Sequence, residues 1–113
     1  MAHITITKST GTWVVRAGGA VLGESKNALE LAEGGNSAVI YFPRSDLAMA
    51  CLDKSEKTSH CPHKGDAIYY NIVTKSTTLT NAGWCYEAPH ADVAAIADHI
   101  AFYTHDTVAV EQI

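Results

Sequence analysis

Short runs of alternating apolar and polar residues recur along this chain, and glycine or proline stops nearly every one. A chain punctuated so often has little room for long helices and folds instead as strands joined by turns. His3 to Lys8 puts Ile4 and Ile6 on one face, as a half-buried strand does. Trp13-Val14-Val15 and Ala20-Val21-Leu22 flank Gly18-Gly19, which reads as a hairpin. Val39-Ile40-Tyr41-Phe42 is a strand stopped by Pro43. Ala67 to Val73 sets Ile68, Tyr70 and Ile72 on one face and Tyr69 and Asn71 on the other, and Thr77 to Tyr86 holds a further strand.

Three segments depart from this pattern. Lys26 to Glu33 carries helix-favouring residues (Ala28, Leu29, Leu31, Ala32) in a short stretch ended by Gly34-Gly35-Asn36, so helix and strand both stay open. Ser45 to Leu52 suits a helical turn beginning near Asp46. Pro89 to His99 is the best helix candidate, with Pro89 near its start, Asp92 in its first turn, and Val93, Ile96 and Ile100 at helical spacing. Ala101-Phe102-Tyr103 and Thr107 to Val110 are expected to close the chain as a hairpin around Thr104-His105-Asp106. The expectation is mainly β: a single compact domain over residues 1–113, of antiparallel strands with one or two short helices.

Composition bounds the function. The chain has 113 residues, enough for one core, and its 47% hydrophobic and 18% charged content belongs to a folded protein. Net charge is −4 and the eight basic residues are scattered, which disfavours nucleic acid and membrane surfaces as partners. No apolar run approaches the ~20 residues of a membrane helix. Met1-Ala2-His3-Ile4-Thr5 lacks the basic-then-apolar order of a secretory leader. Three cysteines without an export signal suggest free thiols in the cytoplasm.

Candidate chemistry concentrates in Ser59-His60-Cys61-Pro62-His63-Lys64-Gly65 and in Gly83-Trp84-Cys85-Tyr86-Glu87. Pro62 pushes Cys61 towards extended backbone, so Cys61 and His63 project to one side and His60 to the other. Lys64 or an imidazole beside Cys61 would favour a thiolate nucleophile, but a small, inert, buried cysteine is the commoner fate. His60, Cys61, His63, Cys85 and His90 are chemically suitable metal ligands, yet no Cys-x-x-Cys or His-Glu-x-x-His pairs them, and neither metal nor cofactor is expected. Trp84 and Tyr86 share a strand face and either pack as core or line a pocket to which Tyr69 contributes. Glu33 and Asp46 read as caps or solvated charges. No phosphate loop, dinucleotide-binding glycine motif or nucleophile elbow is present.

The order Ala28-Leu29-Glu30-Leu31-Ala32-Glu33, Tyr41-Phe42-Pro43, Asp46, Cys61-Pro62-His63-Lys64-Gly65, Ala67-Ile68-Tyr69-Tyr70, Ala82-Gly83-Trp84-Cys85-Tyr86, Pro89 and Val93-Ala94-Ala95-Ile96 to Ala101-Phe102-Tyr103 resembles domain-of-unknown-function family 427. The resemblance covers nearly the whole chain. It implies a β-tent fold, similar to methionine-R-sulfoxide reductases and the thalidomide-binding domain of cereblon. Relatives in that fold carry two Cys-x-x-Cys zinc pairs, and their absence here implies a metal-free version. A nucleotidyltransferase label has been attached to the family, but no Asp-x-Asp pair beside a glycine-serine loop occurs here.

Three functional readings compete. The first is a small-molecule-binding module or enzyme with a pocket near Cys61, Lys64, Tyr69, Trp84 and Tyr86, where the aromatics stack and Lys64 meets an anionic group. The second is a thiol enzyme with Cys61 as nucleophile and Cys85 or Cys51 as resolving thiol. The third is an interaction or structural domain without a site. Oligomeric state cannot be read from the sequence.

Overall fold

The computed structural model describes residues 3–113; Met1 and Ala2, part of the segment read for a leader, lie outside the described residues. It is mainly β. Ten strands run β1 (Ile4–Lys8), β2 (Trp13–Ala17), β3 (Ala20–Ser25), β4 (Leu29–Glu33), β5 (Val39–Pro43), β6 (Leu52–Cys61), β7 (Gly65–Val73), β8 (Thr78–Cys85), β9 (His99–Phe102) and β10 (Val108–Gln112). Every strand pairing is antiparallel. Seven strands order as β1-β4-β5-β9-β8-β7-β6, and β10-β2-β3 form a smaller sheet.

The seven-stranded sheet is two leaves hinged on β9. That strand pairs with β5 only at Phe42↔Ile100 and Pro43↔His99, and with β8 only at Gly83↔Phe102 and Trp84↔Ala101. One leaf is therefore β1-β4-β5 and the other β6-β7-β8. Val39, Ile40 and Tyr41 of β5 have no strand partner along the edge that faces β9.

Two cores result. Between the two sheets, Val15, Ala17, Leu22 and Val108 pack against Phe42, Ile72, Cys85, Ile100 and Phe102. Between the leaves, Leu31 and Tyr41 from one meet Ala67, Tyr69 and Tyr86 from the other, with Val93 and Ile96 filling in below. Strand β7 serves both cores. Ile68, Tyr70 and Ile72 point to the first, Ala67 and Tyr69 to the second.

One open reading is decided and three expectations need correction. Lys26 to Glu33 contains a strand, because β4 is paired on both sides by β1 and β5 and that pairing outweighs a weak helix preference. Pro89 to His99 is not an α-helix but a 3-10 run, Ala91–Ile96, broken by a non-helical Val93. Ser45 to Leu52 becomes two 3-10 turns, Arg44–Asp46 and Met49–Cys51, so Asp46 ends a turn instead of starting one. The closing strands do not form a hairpin with each other: β9 joins the leaves while β10 pairs with β2.

Strand β6 was not foreseen. Its ten residues, LDKSEKTSHC, form the edge beside β7, and most are exposed. The pairing slips between Lys54 and Thr58, and charged residues line the outer edge, which discourages pairing with another chain. No helix among the described residues is long and apolar enough to cross a membrane.

Candidate functional site

The Cys61–Gly65 segment is the turn between β6 and β7, not a free loop. Cys61 and Gly65 are register partners, and the Lys64 N–H donates to the Cys61 carbonyl at 3.2 Å. Gly65 sits at φ +117°, a backbone region that L side chains rarely enter, and is buried against Ala88 and Pro89. The Lys64 carbonyl accepts a 2.9 Å bond from the His90 N–H, fixing the turn from outside. The sequence therefore holds Lys64 at the tip of the second leaf by a tight, glycine-dependent turn.

Lys64 reaches across to the first leaf. Its Nζ donates to Glu33 Oε1 at 2.8 Å, at the end of β4, and the two side chains are only 12% and 17% exposed. Glu33 is thus neither a cap nor a solvated charge. Burial alone would lower the Lys64 ammonium, but the Glu33 hydrogen bond and the surrounding Tyr86, Cys61 and Glu33 charges raise it overall. A second link crosses higher up, where Trp84 Nε1 donates to the Tyr41 hydroxyl at 3.3 Å.

Between these links lies a cavity of about 240 Å³. Its walls bring together Lys64, Tyr69, Trp84 and Tyr86, with Glu33 and Tyr41 opposite. Tyr103 packs on Trp84 with ring centres 4.4 Å apart and planes tilted by 39°, and it too lines the cavity. Tyr41 stands edge-on to Trp84 at 6.4 Å. Lys64 Nζ also lies 5.9 Å from the centre of the Tyr86 ring.

The tyrosines differ in acidity. Burial pushes the Tyr41 phenol up to about 12 and raises Tyr86 further, so both stay protonated and can donate or accept. Burial, then its contact with Tyr69, takes Tyr103 to about 12 as well. Tyr69 goes the other way. Burial would raise it, but the Ser59 hydroxyl at 2.9 Å, the Tyr103 phenol and the Lys57 ammonium (4.6 Å from the ring centre) bring it below the usual value.

Cys61 does not line this cavity; it is half-buried and packs against the inter-leaf core. Cys85 is fully buried in the other core, and Cys51 packs there too. All three are unpaired. Arg44 holds Cys85 from outside: Nη2 donates to Cys85 Sγ at 3.2 Å and Nη1 to the Tyr70 hydroxyl at 2.9 Å. Its buried Nε has no hydrogen bond, as Asp98 Oδ1 at 4.0 Å lies too far away. Burial pushes the Cys85 thiol up despite that cation. The resolving thiols proposed for Cys61 therefore belong to a different core. His60 Nδ1 pairs with Asp66 Oδ1 at 2.7 Å on the exposed edge. Among the described residues, no three His, Cys, Asp or Glu side chains converge as a metal site requires, so His60, Cys61, His63, Cys85 and His90 are not brought together.

The partner of Lys64 escaped sequence reasoning because 31 positions separate it from Glu33. A strand reading of Leu29 to Glu33 carries the missing signal, because Leu31 and Glu33 then share a face.

Residues 5–112 match the model of a family described as a domain of unknown function (DUF427). The chain belongs to that family. No curated protein matches it. The DUF427 match spans both leaves, the small sheet and all of the cavity's walls.

Proposed function

We propose that this DUF427 protein, acting as one domain over its whole length, binds a small, planar, uncharged molecule in the cavity between the leaves. The observation that carries this reading is the Lys64–Glu33 pair set into a wall of aromatic rings. A lone lysine would attract an anion, but one held at 2.8 Å by Glu33 leaves the site with no net charge. An anionic ligand would have to displace that carboxylate or bury a charge beside it. A carboxamide suits the pair as it stands: its carbonyl oxygen accepts from the ammonium, and its N–H donates to the carboxylate. Trp84 and Tyr103 offer stacking surface for the attached ring. The volume, below that of most drug-sized sites, limits the head of the ligand to about one ring. Three unpaired cysteines support a reducing compartment such as the cytoplasm.

Titrations with benzamide, benzoate and benzylamine, followed by the indole N–H resonance of Trp84, test the reading. Benzamide is expected to bind at least several-fold more tightly than either charged analogue, and Trp84→Ala to abolish that binding in a folded protein. Benzoate as the tightest ligand, with an affinity that falls as salt rises, would sink it and restore Lys64 as a free cation site.

A further inference from the structure

A second space adjoins the cavity at Trp84. A larger recess of about 630 Å³ lies between the two sheets, lined by Trp13, Ile40, Phe102 and Val110, with Glu30 its one charged side chain. Val39, Trp84 and Tyr103 line both spaces. The cause is topological. Along β5, Val39 and Tyr41 face the inter-leaf core while Ile40 faces the other, so neighbouring residues serve opposite faces of one sheet. Two faces of a sheet communicate only where the sheet has a gap. Here β9 covers Phe42 and Pro43 and leaves Val39 to Tyr41 open along that edge. The tilted ring pair of Trp84 and Tyr103 lies on the wall that both spaces share, and Tyr103 is 47% exposed.

We propose that the ligand is bipartite, with its planar amide head at Lys64–Glu33 and an apolar arm that passes Trp84 and Tyr103 into the groove between the sheets. The head rests on the function proposed above; the arm rests on the shared wall and on the change of chemistry across it. The inner chamber presents an ion pair and phenol hydroxyls, whereas the groove presents aliphatic and aromatic carbon. A wholly polar ligand would leave the groove's apolar surface wet, and a wholly apolar one would strip water from the ion pair without replacing it. An aryl amide with an alkyl substituent opposite the amide satisfies both, because its substituent points away from Lys64 and towards Trp84.

The test is a homologous series of benzamide and its 4-methyl, 4-ethyl, 4-propyl and 4-butyl derivatives, titrated into the full chain. Affinity is expected to rise about fourfold with each methylene, the increment of burying a CH₂ group. The indole resonance of Trp13 should move with the propyl and butyl compounds and stay still with benzamide. Val110→Asp, which places a charge in the groove, should remove the gain. Benzamide binding with a flat series would overturn the arm and leave the head standing. A flat series together with a dimer in sedimentation would assign the groove to a second copy of the chain, also overturning the arm. No binding by any member would overturn both proposals.

Discussion

The two faces of the seven-stranded sheet use the same strands to opposite ends. On the face towards the small sheet, Phe42, Ile72, Cys85 and Ile100 are all 0% exposed, and even the polar termini of Tyr70 and Cys85 are claimed by Arg44. On the inter-leaf face, four tyrosines and a tryptophan stand around a cavity, with the Tyr41 hydroxyl accepting from Trp84 and the Tyr69 hydroxyl paired with Ser59. Aliphatic side chains can adjust to fill a core to uniform density, whereas rigid rings tipped with hydroxyls leave gaps and need partners. Around Phe42 and Ile100 the first face is packed shut and opens only at its rim, beside Trp13 and Val110, whereas the second keeps a cavity in the midst of its rings.

The sharpest way to break that contrast is to cut one large side chain from each face. Ile100→Ala is expected to cost about 2–5 kcal/mol in urea denaturation, the range for a buried aliphatic truncated in a rigid core. Trp84→Ala should cost less despite removing more atoms, because Trp84 already borders open space. Equal losses would mean that the inter-leaf face is packed as tightly as the other.

The next effect concerns the pair that ties the leaf tips. Glu33→Gln leaves a largely buried ammonium without its counter-charge and is expected to cost about 1–3 kcal/mol. The double variant Glu33→Gln with Lys64→Met should recover part of that loss. The pH dependence has a definite sign. The folded state raises Lys64 above its ordinary 10.5, so its contribution is fully present below that value and disappears as pH climbs through the folded value. The stabilities of the native protein and Lys64→Met should therefore converge at strongly alkaline pH. A gap that widened there would show that the pair does not favour the charged lysine.

The smallest effect is spectroscopic. Tyr69 is the phenol held below its usual value while Tyr41, Tyr86 and Tyr103 are raised. In an ultraviolet titration, Tyr69→Phe should remove an early-ionising step, leave the late steps of Tyr41 and Tyr86 and bring that of Tyr103 down, with little change in stability. Loss of a late step instead would assign the low value to another ring.

Much of this contrast was legible in the sequence, and its failures have physical causes. The alternation in Ala67 to Val73 gave the two faces of β7 directly, since the period of a strand is fixed by its geometry. The Gly18-Gly19 hairpin and the stop at Pro43 followed from local chemistry in the same way. Strand β6 was invisible because an edge exposed on both sides needs no alternation, and Asp53-Lys54-Ser55-Glu56-Lys57 shows none. The fate of the last two strands was invisible for another reason. Whether Ala101-Phe102 pairs forwards with Val108 or backwards with β5 and β8 depends on partners far away in the chain. Lys64, Tyr69, Trp84 and Tyr86 were picked out by residue type and spacing, and the structure places them about one cavity. The carboxylate that Lys64 meets lies in Lys26 to Glu33, a segment whose residues left helix and strand both open.

The short strand β9 also orders events in time. Strands β6, β7 and β8 form a meander whose partners are close in sequence, so each hairpin closes at small entropic cost. The join between the leaves pairs Phe42 with Ile100, roughly sixty residues apart, and rewards closure with only two register pairs on that side. On loop-closure grounds that contact is expected to form after the meander, held by the burial of Phe42 and Ile100 more than by its register. The walls of the inter-leaf cavity come together only once β9 has docked, so a guest gripping both leaves would slow their parting.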